Sequence, residues 1–181
     1  LQRRRFGNTP GPRLAVCAGV HGDELEGLYL CHRLAAWLEP LQSQLNGGID
    51  LYPMLNPLAL NSLKRTIPGS EADLNRSFPG HAEGLPAQRL AAAILQQLQG
   101  YAAVLDVHAS NRCLDELPQA RIDLRHAQLS QPIAKALNLP LTWQHGPVAV
   151  LESTLTYSLN ASGTPALLVE LGSGDSCTPR Y

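Results

Sequence analysis

The chain has 181 residues, of which 44% are hydrophobic and 16% are charged, and its formal net charge is -1. This length and composition favour one domain with a substantial core. The charge is close to zero and the longest basic block is residues 3–5, which argues against binding of nucleic acid or of an anionic membrane surface. A small molecule is therefore the expected partner.

The four cysteines are scattered along the chain without a Cys-x-x-Cys pair. A chain of this size does not usually depend on disulfide bonds for stability. Cys17 and Cys31 lie in apolar surroundings and are predicted to be buried free thiols. No signal peptide and no apolar stretch of about 18 residues is present. These features predict a cytoplasmic protein that does not enter the membrane.

Strands alternate with helices along the sequence. Short apolar runs such as residues 14–18 are typical of strands buried inside a sheet, and residues 86–99 show the spacing of an amphipathic helix. Pro40 and Gly100 end two of the helical patterns. The predicted elements are strands at 14–18, 49–55, 102–107, 139–143 and 166–169, and helices at 23–38, 86–99, 129–137 and 153–161. This order predicts an α/β sandwich with a largely parallel sheet.

Two segments lack a regular period. Residues 1–13 read as a lead-in or a hairpin turn, and residues 56–84 are rich in Pro, Gly, Asn and Arg. A long irregular stretch in a compact domain is unusual and commonly carries function. Arg112, Asp115 and Arg121 follow His108 in a predicted loop. Their side chains could reach a substrate from there, but a surface position is the better interpretation for each.

His21 and Glu24 lie at the junction of the first predicted strand and the start of the first predicted helix. An imidazole nitrogen and a carboxylate oxygen at such a junction can face one point and hold a zinc ion. A catalytic zinc site typically has three protein ligands and an open position. His108 follows another predicted strand and is the best candidate for the third ligand. Ligands gather at the carboxyl ends of parallel strands, so this edge is expected to hold His21, His108 and Glu170 together.

Four motifs in order carry a family resemblance. They are His21-Gly22-Asp23-Glu24, the stretch from Asn56-Pro57 through Arg65 to Asp73-Leu74-Asn75-Arg76, Asp106-Val107-His108, and Val169-Glu170-Leu171-Gly172. With them the chain resembles the succinylglutamate desuccinylase/aspartoacylase family of the zinc carboxypeptidase superfamily, over about residues 14–174. The resemblance implies a zinc-carboxypeptidase-like sandwich with a mixed, mostly parallel sheet flanked by helices.

The resemblance also implies a role for each matching residue. It implies that His21, Glu24 and His108 hold one zinc ion per chain and that Glu170 acts as general base and then general acid. Arg65 is implied to polarise the scissile carbonyl, and Asn75 and Arg76 to bind the substrate carboxylate. Asp73 is implied to orient a zinc-bound imidazole. Asp106 is as compatible with that orienting role as with a purely structural one.

The chemistry of these residue types supports the same roles. Zinc lowers the pKa of bound water to about 7, and a nearby carboxylate can accept the proton. Fixed positive charge stabilises the oxyanion that forms on attack, and an arginine fork recognises a carboxylate. Simpler explanations are a satisfied buried histidine for His108, a structural ion pair for Glu170, a solvated side chain for Arg65 and a loop brace for Arg76.

The leading hypothesis is therefore a zinc-dependent amidohydrolase, with one catalytic domain over residues 1–181, that cleaves an N-acyl amino acid or a related small amide carrying a carboxylate. The alternatives are a carboxypeptidase for short or cell-wall peptides and a zinc-binding protein without hydrolytic activity. Several members of the resembled family carry a further small β-rich domain, and only eleven residues follow Glu170 here. An open site and an incomplete chain are the two interpretations of that difference.

Overall fold

Seven strands in the described part of the chain form one mixed sheet. A computed structural model describes residues 1–7, 10–174 and 176–177. The strands are β1 (Arg4–Phe6), β2 (Arg13–Ala18), β3 (Gly48–Tyr52), β4 (Ala103–Ser110), β5 (Glu116–Asp123), β6 (Leu141–His145) and β7 (Ala166–Ser173). Their order across the sheet is β1-β3-β2-β4-β7-β5-β6. The pairs β1–β3 and β5–β7 are antiparallel, and the other neighbours are parallel.

Helices cover both faces of this sheet. The α-helices of the described residues are α1 (Leu25–Leu38), α2 (Pro57–Asn61), α3 (Pro86–Leu98), α4 (Ala127–Leu137) and α5 (Leu155–Ala161). Short 3-10 helices lie at Glu39–Gln44, Leu74–Arg76, Leu124–His126 and Ala149–Ser153. One apolar cluster joins α1 and α4 to the sheet, and a second joins α3 and α5 to its other face. The fold is the α/β sandwich that the sequence predicts.

Strand periodicity decides which face each polar residue occupies. Val107 of β4 and Val169 of β7 pack in the cluster under α1 and α4. Successive side chains of a strand point to opposite faces, so His108 and Glu170 lie on the face covered by α3 and α5. The parallel strands β2, β4 and β7 are neighbours, and their carboxyl ends meet at one edge. The candidate site lies at this edge.

Several predicted elements are confirmed with small shifts at their ends. The predicted helices at 23–38, 86–99 and 129–137 correspond to α1, α3 and α4, and the first predicted strand corresponds to β2. Cys17 and Cys31 are buried free thiols, as predicted, while Cys113 and Cys177 are exposed and also free. None of the helices in the described ranges combines the length and apolar character needed to cross a bilayer.

Other predicted boundaries are wrong. The predicted lead-in contains β1, the stretch 56–84 contains α2 and a 3-10 turn, and the predicted helix at 153–161 starts only at Leu155, after another 3-10 turn. His108 and Glu170 lie inside their strands and not after them. The strands continue because Ser110 pairs with Ser173, beyond a bulge that follows His108. That continuation is set by the partner strand, which local sequence does not reveal.

The predicted loop after His108 is the largest error. It contains β5, which places Arg121 in the sheet between β7 and β6. The alternation of buried Ala120 and Ile122 with more exposed neighbours is a strand signal of period two. This alternation is short and follows Pro118, so the polar residues around it are typical of a loop.

The buried carboxylate of Asp50 on β3 ties the amino-terminal arginines to the sheet. Its side chain is 0% exposed. Arg5 donates to it through Nε and Nη2 at 3.3 Å, the Tyr101 hydroxyl donates at 2.6 Å, and Arg13 also donates. Burial raises the pKa of Asp50, but the hydrogen bonds from Arg13, Tyr101 and Arg5 outweigh burial and leave that pKa below its usual value. Ionised Asp50 therefore stabilises the folded state.

Replacing Asp50 should destabilise the protein in a pH-dependent way. Asp50→Asn should lower the free energy of unfolding by about 2–3 kcal/mol at neutral pH, less than the roughly 3–5 kcal/mol for a fully buried pair, because the arginines stay partly exposed. The folded-state pKa is depressed, so the contribution of Asp50 is present above about pH 4 and is lost as the pH falls through that pKa. The difference in the free energy of unfolding between wild type and variant, measured by urea denaturation, should therefore shrink as the pH falls through that pKa.

The control is Glu39→Gln, which removes an exposed ion pair with Arg4. It should change the free energy of unfolding by less than about 0.5 kcal/mol. A wild-type advantage over Asp50→Asn that stays constant far below about pH 4 would contradict the assignment.

Candidate metal centre and active-site cavity

The loop between β2 and α1 carries His21 and Glu24 and is held tightly against α2. The backbone amide of Gly22 donates to the carbonyl oxygen of Lys64 at 2.9 Å. A Cβ at Gly22 would lie 2.0 Å from the carbonyl carbon of Ala59, so only glycine fits this approach. The close contact fixes the path of the loop, and with it the positions of the two side chains.

His21, Glu24 and His108 form one buried cluster, with exposures of 2%, 7% and 2%. The Nδ1 atom of His21 lies 2.6 Å from Glu24 Oε1, and Nδ1 of His108 lies 2.8 Å from Glu24 Oε2. One ligand atom from each residue can be chosen so that all three lie within 4.8 Å of one another. Both imidazoles thus turn the same nitrogen toward one carboxylate.

A second carboxylate stands behind each imidazole. His21 Nε2 lies 3.0 Å from Asp73 Oδ1, and His108 Nε2 lies 3.2 Å from Asp106 Oδ2. The backbone N–H of Asn75 donates to the same Asp73 oxygen at 2.8 Å, which holds that carboxylate in place. Carboxylates in this position fix the ring orientation and raise the basicity of the nitrogen on the far side.

These contacts concentrate negative charge around the two rings. Burial alone would lower the pKa of each imidazole, but the carboxylates outweigh burial: Asp73 and Glu24 raise the pKa of His21, and Asp106 and Glu24 raise that of His108. Burial raises the pKa of Glu24, yet the two histidines hold that pKa well below its usual range. The cluster therefore attracts positive charge to the point where the three side chains meet.

The donor set fits a divalent metal ion. Two imidazole nitrogens and one carboxylate oxygen are a common ligand set of catalytic zinc sites. In and directly behind the cavity, within the described residues, five carboxylates outnumber three guanidinium groups by two: Glu24, Asp73, Asp106, Glu116 and Glu170 against Arg65, Arg76 and Arg121. A divalent cation balances this excess and leaves both imidazoles neutral.

A cavity of about 220 Å³ opens beside the cluster, and Arg65 lines it. The Arg65 guanidinium pairs with Asp73, with Nη2 3.0 Å from Oδ2. Its Nη1 lies 3.5 Å from Glu24 Oε1 and 3.4 Å from His21 Nδ1. Arg65 therefore places a fixed positive charge next to the candidate metal position.

Asn75 and Arg76 line another part of the same cavity. The side-chain oxygen of Asn75 accepts from the backbone N–H of Leu155 at 3.0 Å, so its orientation is fixed and its amide donors are left for other partners. Arg76 is exposed, and its Nη1 donates to the carbonyl oxygen of Asn75 at 2.7 Å. Among the described residues, no carboxylate lies within ion-pair distance of Arg76.

Glu170 lines the cavity from β7, where it pairs in register with His108 of β4. Burial raises the pKa of Glu170, and the charges of His108 and Arg121 reduce that rise without cancelling it. Its Oε1 lies 3.3 Å from Nη1 of Arg121. The structure thus brings the nine candidate site residues of the resemblance to one cavity or directly behind it, whereas Arg112 and Asp115 are exposed and do not line it.

Comparisons with known proteins agree with this geometry. The sequence profile of the succinylglutamate desuccinylase/aspartoacylase catalytic domain matches residues 10–180. The chain belongs to the succinylglutamate desuccinylase/aspartoacylase family. It is 30% identical over 174 residues to the N-alpha-acetyl-L-2,4-diaminobutyric acid deacetylase of Halomonas elongata, a match that covers 93% of this chain and 50% of the deacetylase.

Solved structures of the family show the same fold. A succinylglutamate desuccinylase from Silicibacter sp. TM1040 is 25% identical with a TM-score of 0.86, over 98% of this chain and 55% of that one. The product-bound ectoine utilization protein EutE (DoeB) of Ruegeria pomeroyi is 27% identical with a TM-score of 0.85, over the same shares of the two chains. The chain spans about half the length of these relatives.

The sequence interpretation of this family member did not consider Glu116 and favoured a surface position for Arg121. Glu116 and Arg121 of β5 both line the cavity, and Arg121 also lines a neighbouring cavity of about 140 Å³. The second cavity includes Trp143 and Tyr157, and it shares Leu168 with the first. Sequence signals for these contacts are weak, because they depend on which strand pairs with β5.

The geometry predicts that the protein binds one divalent cation per chain. His108→Ala should abolish stoichiometric binding, because two remaining ligands do not make a complete site. The measurement is titration of chelator-treated protein with Zn²⁺ or Co²⁺, followed by dialysis and metal analysis. His32→Ala, an exposed position on α1, is the control and should bind like wild type. Retention of one equivalent of metal per chain by a folded His108→Ala protein would disprove the ligand assignment.

Proposed function

We propose that this protein is a zinc-dependent hydrolase that cleaves the amide bond of an N-acyl amino acid or a related small amide with a free carboxylate. The observation that carries the proposal is a two-histidine, one-carboxylate cluster sharing a cavity with Glu170 and an arginine that pairs with no carboxylate among the described residues. A relative named as a deacetylase of an N-acetyl amino acid supports this substrate class.

His21, Glu24 and His108 would hold the zinc ion, one per chain. When bound, zinc lowers the pKa of its water to about 7 and polarises the substrate carbonyl. Asp73 and Asp106 would keep the Nδ1 atoms of the two imidazoles directed at the metal, because each carboxylate stands beside the opposite ring nitrogen. The buried loop around Gly22 would keep the ligands in place during turnover.

Glu170 would act as the general base and then as the general acid. Its place beside His108 in the sheet brings the carboxylate to the same side of the cavity as the candidate ligands. It would take the proton from the attacking water and deliver it to the leaving amine, so that one residue serves both steps.

Arg65 would stabilise the oxyanion that develops on the substrate carbonyl. Its Nη1 stands within 3.5 Å of candidate ligand atoms, and its pairing with Asp73 holds it there before substrate binds. Donors that are already in place need no reorganisation as the charge develops. Arg65 and Asp73 would thus act as one rigid unit.

Arg76 and Asn75 would bind the substrate carboxylate. The Asn75 oxygen is held by Leu155, which leaves donors on both side chains for an anion. Arg65 and Arg121 already pair with protein carboxylates, whereas Arg76 does not among the described residues. An arginine fork binds a carboxylate by two parallel hydrogen bonds. A cavity of about 220 Å³ suits a small substrate.

A panel of N-acyl amino acids and dipeptides, assayed with and without added zinc, tests the proposed function. Acyl amino acids should be hydrolysed only by the zinc-loaded protein. In that form Glu170→Gln should reduce turnover by about 10²–10⁴ with zinc content unchanged. Turnover of dipeptides alone would favour a carboxypeptidase, and zinc binding without any turnover would favour a non-catalytic protein.

Loss of the carboxylate clamp should weaken productive substrate binding. A hydrogen bond between charged groups contributes about 1.5–3 kcal/mol, so Arg76→Ala should cost more than about tenfold in kcat/KM, mainly through KM. Arg76→Lys should retain only part of the wild-type kcat/KM, because the lysine ammonium is a point charge and lacks the planar fork of arginine. Arg89→Ala, an exposed position on α3, is the matched control and should behave as wild type.

The substrate provides a second control for the clamp. When its carboxylate is converted to an amide, wild type should discriminate against the neutral compound and Arg76→Ala should hardly distinguish the two. Equal discrimination by both proteins would show that the carboxylate binds elsewhere.

A further inference from the structure

Arg121 reaches Glu170 because of the antiparallel pairing of β5 with β7. Gln119 is the register partner of Glu170, and Arg121 is the partner of Leu168. Arg121 is therefore a diagonal neighbour of Glu170 on the same face of the sheet, a distance that a long side chain can span. Its Nη1 lies 3.3 Å from Glu170 Oε1.

Other contacts fix the Arg121 side chain on its remaining sides. Its Nη2 donates to the Glu116 carboxylate at 3.2 Å, and Gln119 donates to that same carboxylate at 3.1 Å. The guanidinium carbon lies 4.8 Å from the centre of the Trp143 ring, in a cation–π arrangement. Arg121 pairs with Trp143 in the β5–β6 register, so the stacking also follows from the strand pairing.

These contacts distinguish Arg121 from a substrate-binding arginine. It stands between two carboxylates, Glu116 and Glu170, whose combined charge exceeds its own. An additional anion would have to displace one of them. Arg76 has no such competitor among the described residues and is the better anion site.

We propose that Arg121 is a positioning residue that holds the Glu170 carboxylate in its working orientation; this inference rests on the proposed function. A glutamate side chain has several accessible rotamers, and the pairing with Arg121 selects one of them. Glu116 and Trp143 hold Arg121 in turn, so the orientation is transmitted from β6 across β5 to β7. Displacement of a catalytic group by about 1 Å can cost about 10²-fold in rate.

Arg125 offers a matched control. It also pairs with two carboxylates, Asp123 and Glu152, and its guanidinium carbon lies 4.7 Å from the centre of the Tyr157 ring. It makes no ion pair with Glu170, whose arginine partner among the described residues is Arg121. Arg121→Met and Arg125→Met thus remove similar interactions, and only the first removes the contact with the proposed base.

The test compares kcat and KM of zinc-loaded proteins with an N-acyl amino acid. Arg121→Met should lower kcat by about 10- to 100-fold, as expected for a misplaced catalytic group, and change KM by less than about threefold. Arg125→Met should keep kcat within about twofold of wild type, as expected for a change away from the reacting groups. Arg121→Lys should recover part of kcat, since an ammonium group can contact Glu170 but lacks the fork that also holds Glu116.

A double variant shows whether Arg121 acts through Glu170. In the Glu170→Gln background, Arg121→Met should have little further effect on kcat. A further loss as large as in wild type would overturn the proposal. An unchanged kcat in Arg121→Met would also overturn it, and a raised KM with normal kcat would assign Arg121 to substrate binding instead.

A stability measurement separates failure of this inference from failure of the proposed function. If wild type hydrolyses no amide, urea unfolding of wild type, Arg121→Met, Glu170→Gln and the double variant still reports the coupling of the two side chains. The change in the urea midpoint of the double variant should differ from the sum of the changes in the two single variants, while the slope of the unfolding free energy against urea concentration stays the same. Additive changes would show that Arg121 does not hold Glu170.

Discussion

The Glu24 carboxylate is the contact on which the geometry of the candidate site depends. Its two oxygens face His21, in the same loop, and His108, 84 residues away in β4. It also accepts the backbone N–H of Ala109 at 3.1 Å. One side chain thereby connects the β2–α1 loop to the middle of the sheet. Because it carries negative charge inside a buried cluster, it needs positive charge at the point where the imidazoles meet.

The register of three adjacent strands organises the other half of the site. His108, Glu170 and Gln119 form one row across β4, β7 and β5, and Leu168, Arg121 and Trp143 form the next row across β7, β5 and β6. A slip of one residue in any of these pairings would turn the polar side chains toward the opposite face. The buried valines Val107 and Val169 oppose such a slip, because it would bring them out of the core. Core packing and site geometry are therefore set by the same register.

Ion pairing sorts the arginines of the cavity by role. Arg65 is held by Asp73 and Arg121 by Glu116 and Glu170, whereas Arg76, within the described residues, donates to a backbone carbonyl oxygen. Paired arginines stay in fixed positions, and an arginine without a protein carboxylate can take one from a ligand. The same residue type thus supports three different proposed functions within one cavity, and the neighbours decide which.

The sequence by itself determined the alternation of strands and helices, the family resemblance and the residues of the candidate metal cluster. Local patterns suffice there, because apolar runs and helical spacing are read within a few residues and the polar motifs follow directly from them. The sequence also placed Asp73 and Asp106 near the histidines, through the resemblance and their motifs.

The tertiary structure alone decided the position of β5, the extension of β4 and β7 past His108 and Glu170, and the contacts of Arg121. The segment around Arg121 is short, follows a proline and alternates only weakly, so its strand character comes from pairing with β7 and β6. Such pairing depends on residues about 20 and 50 positions away, and local propensity carries no information about partners at that distance.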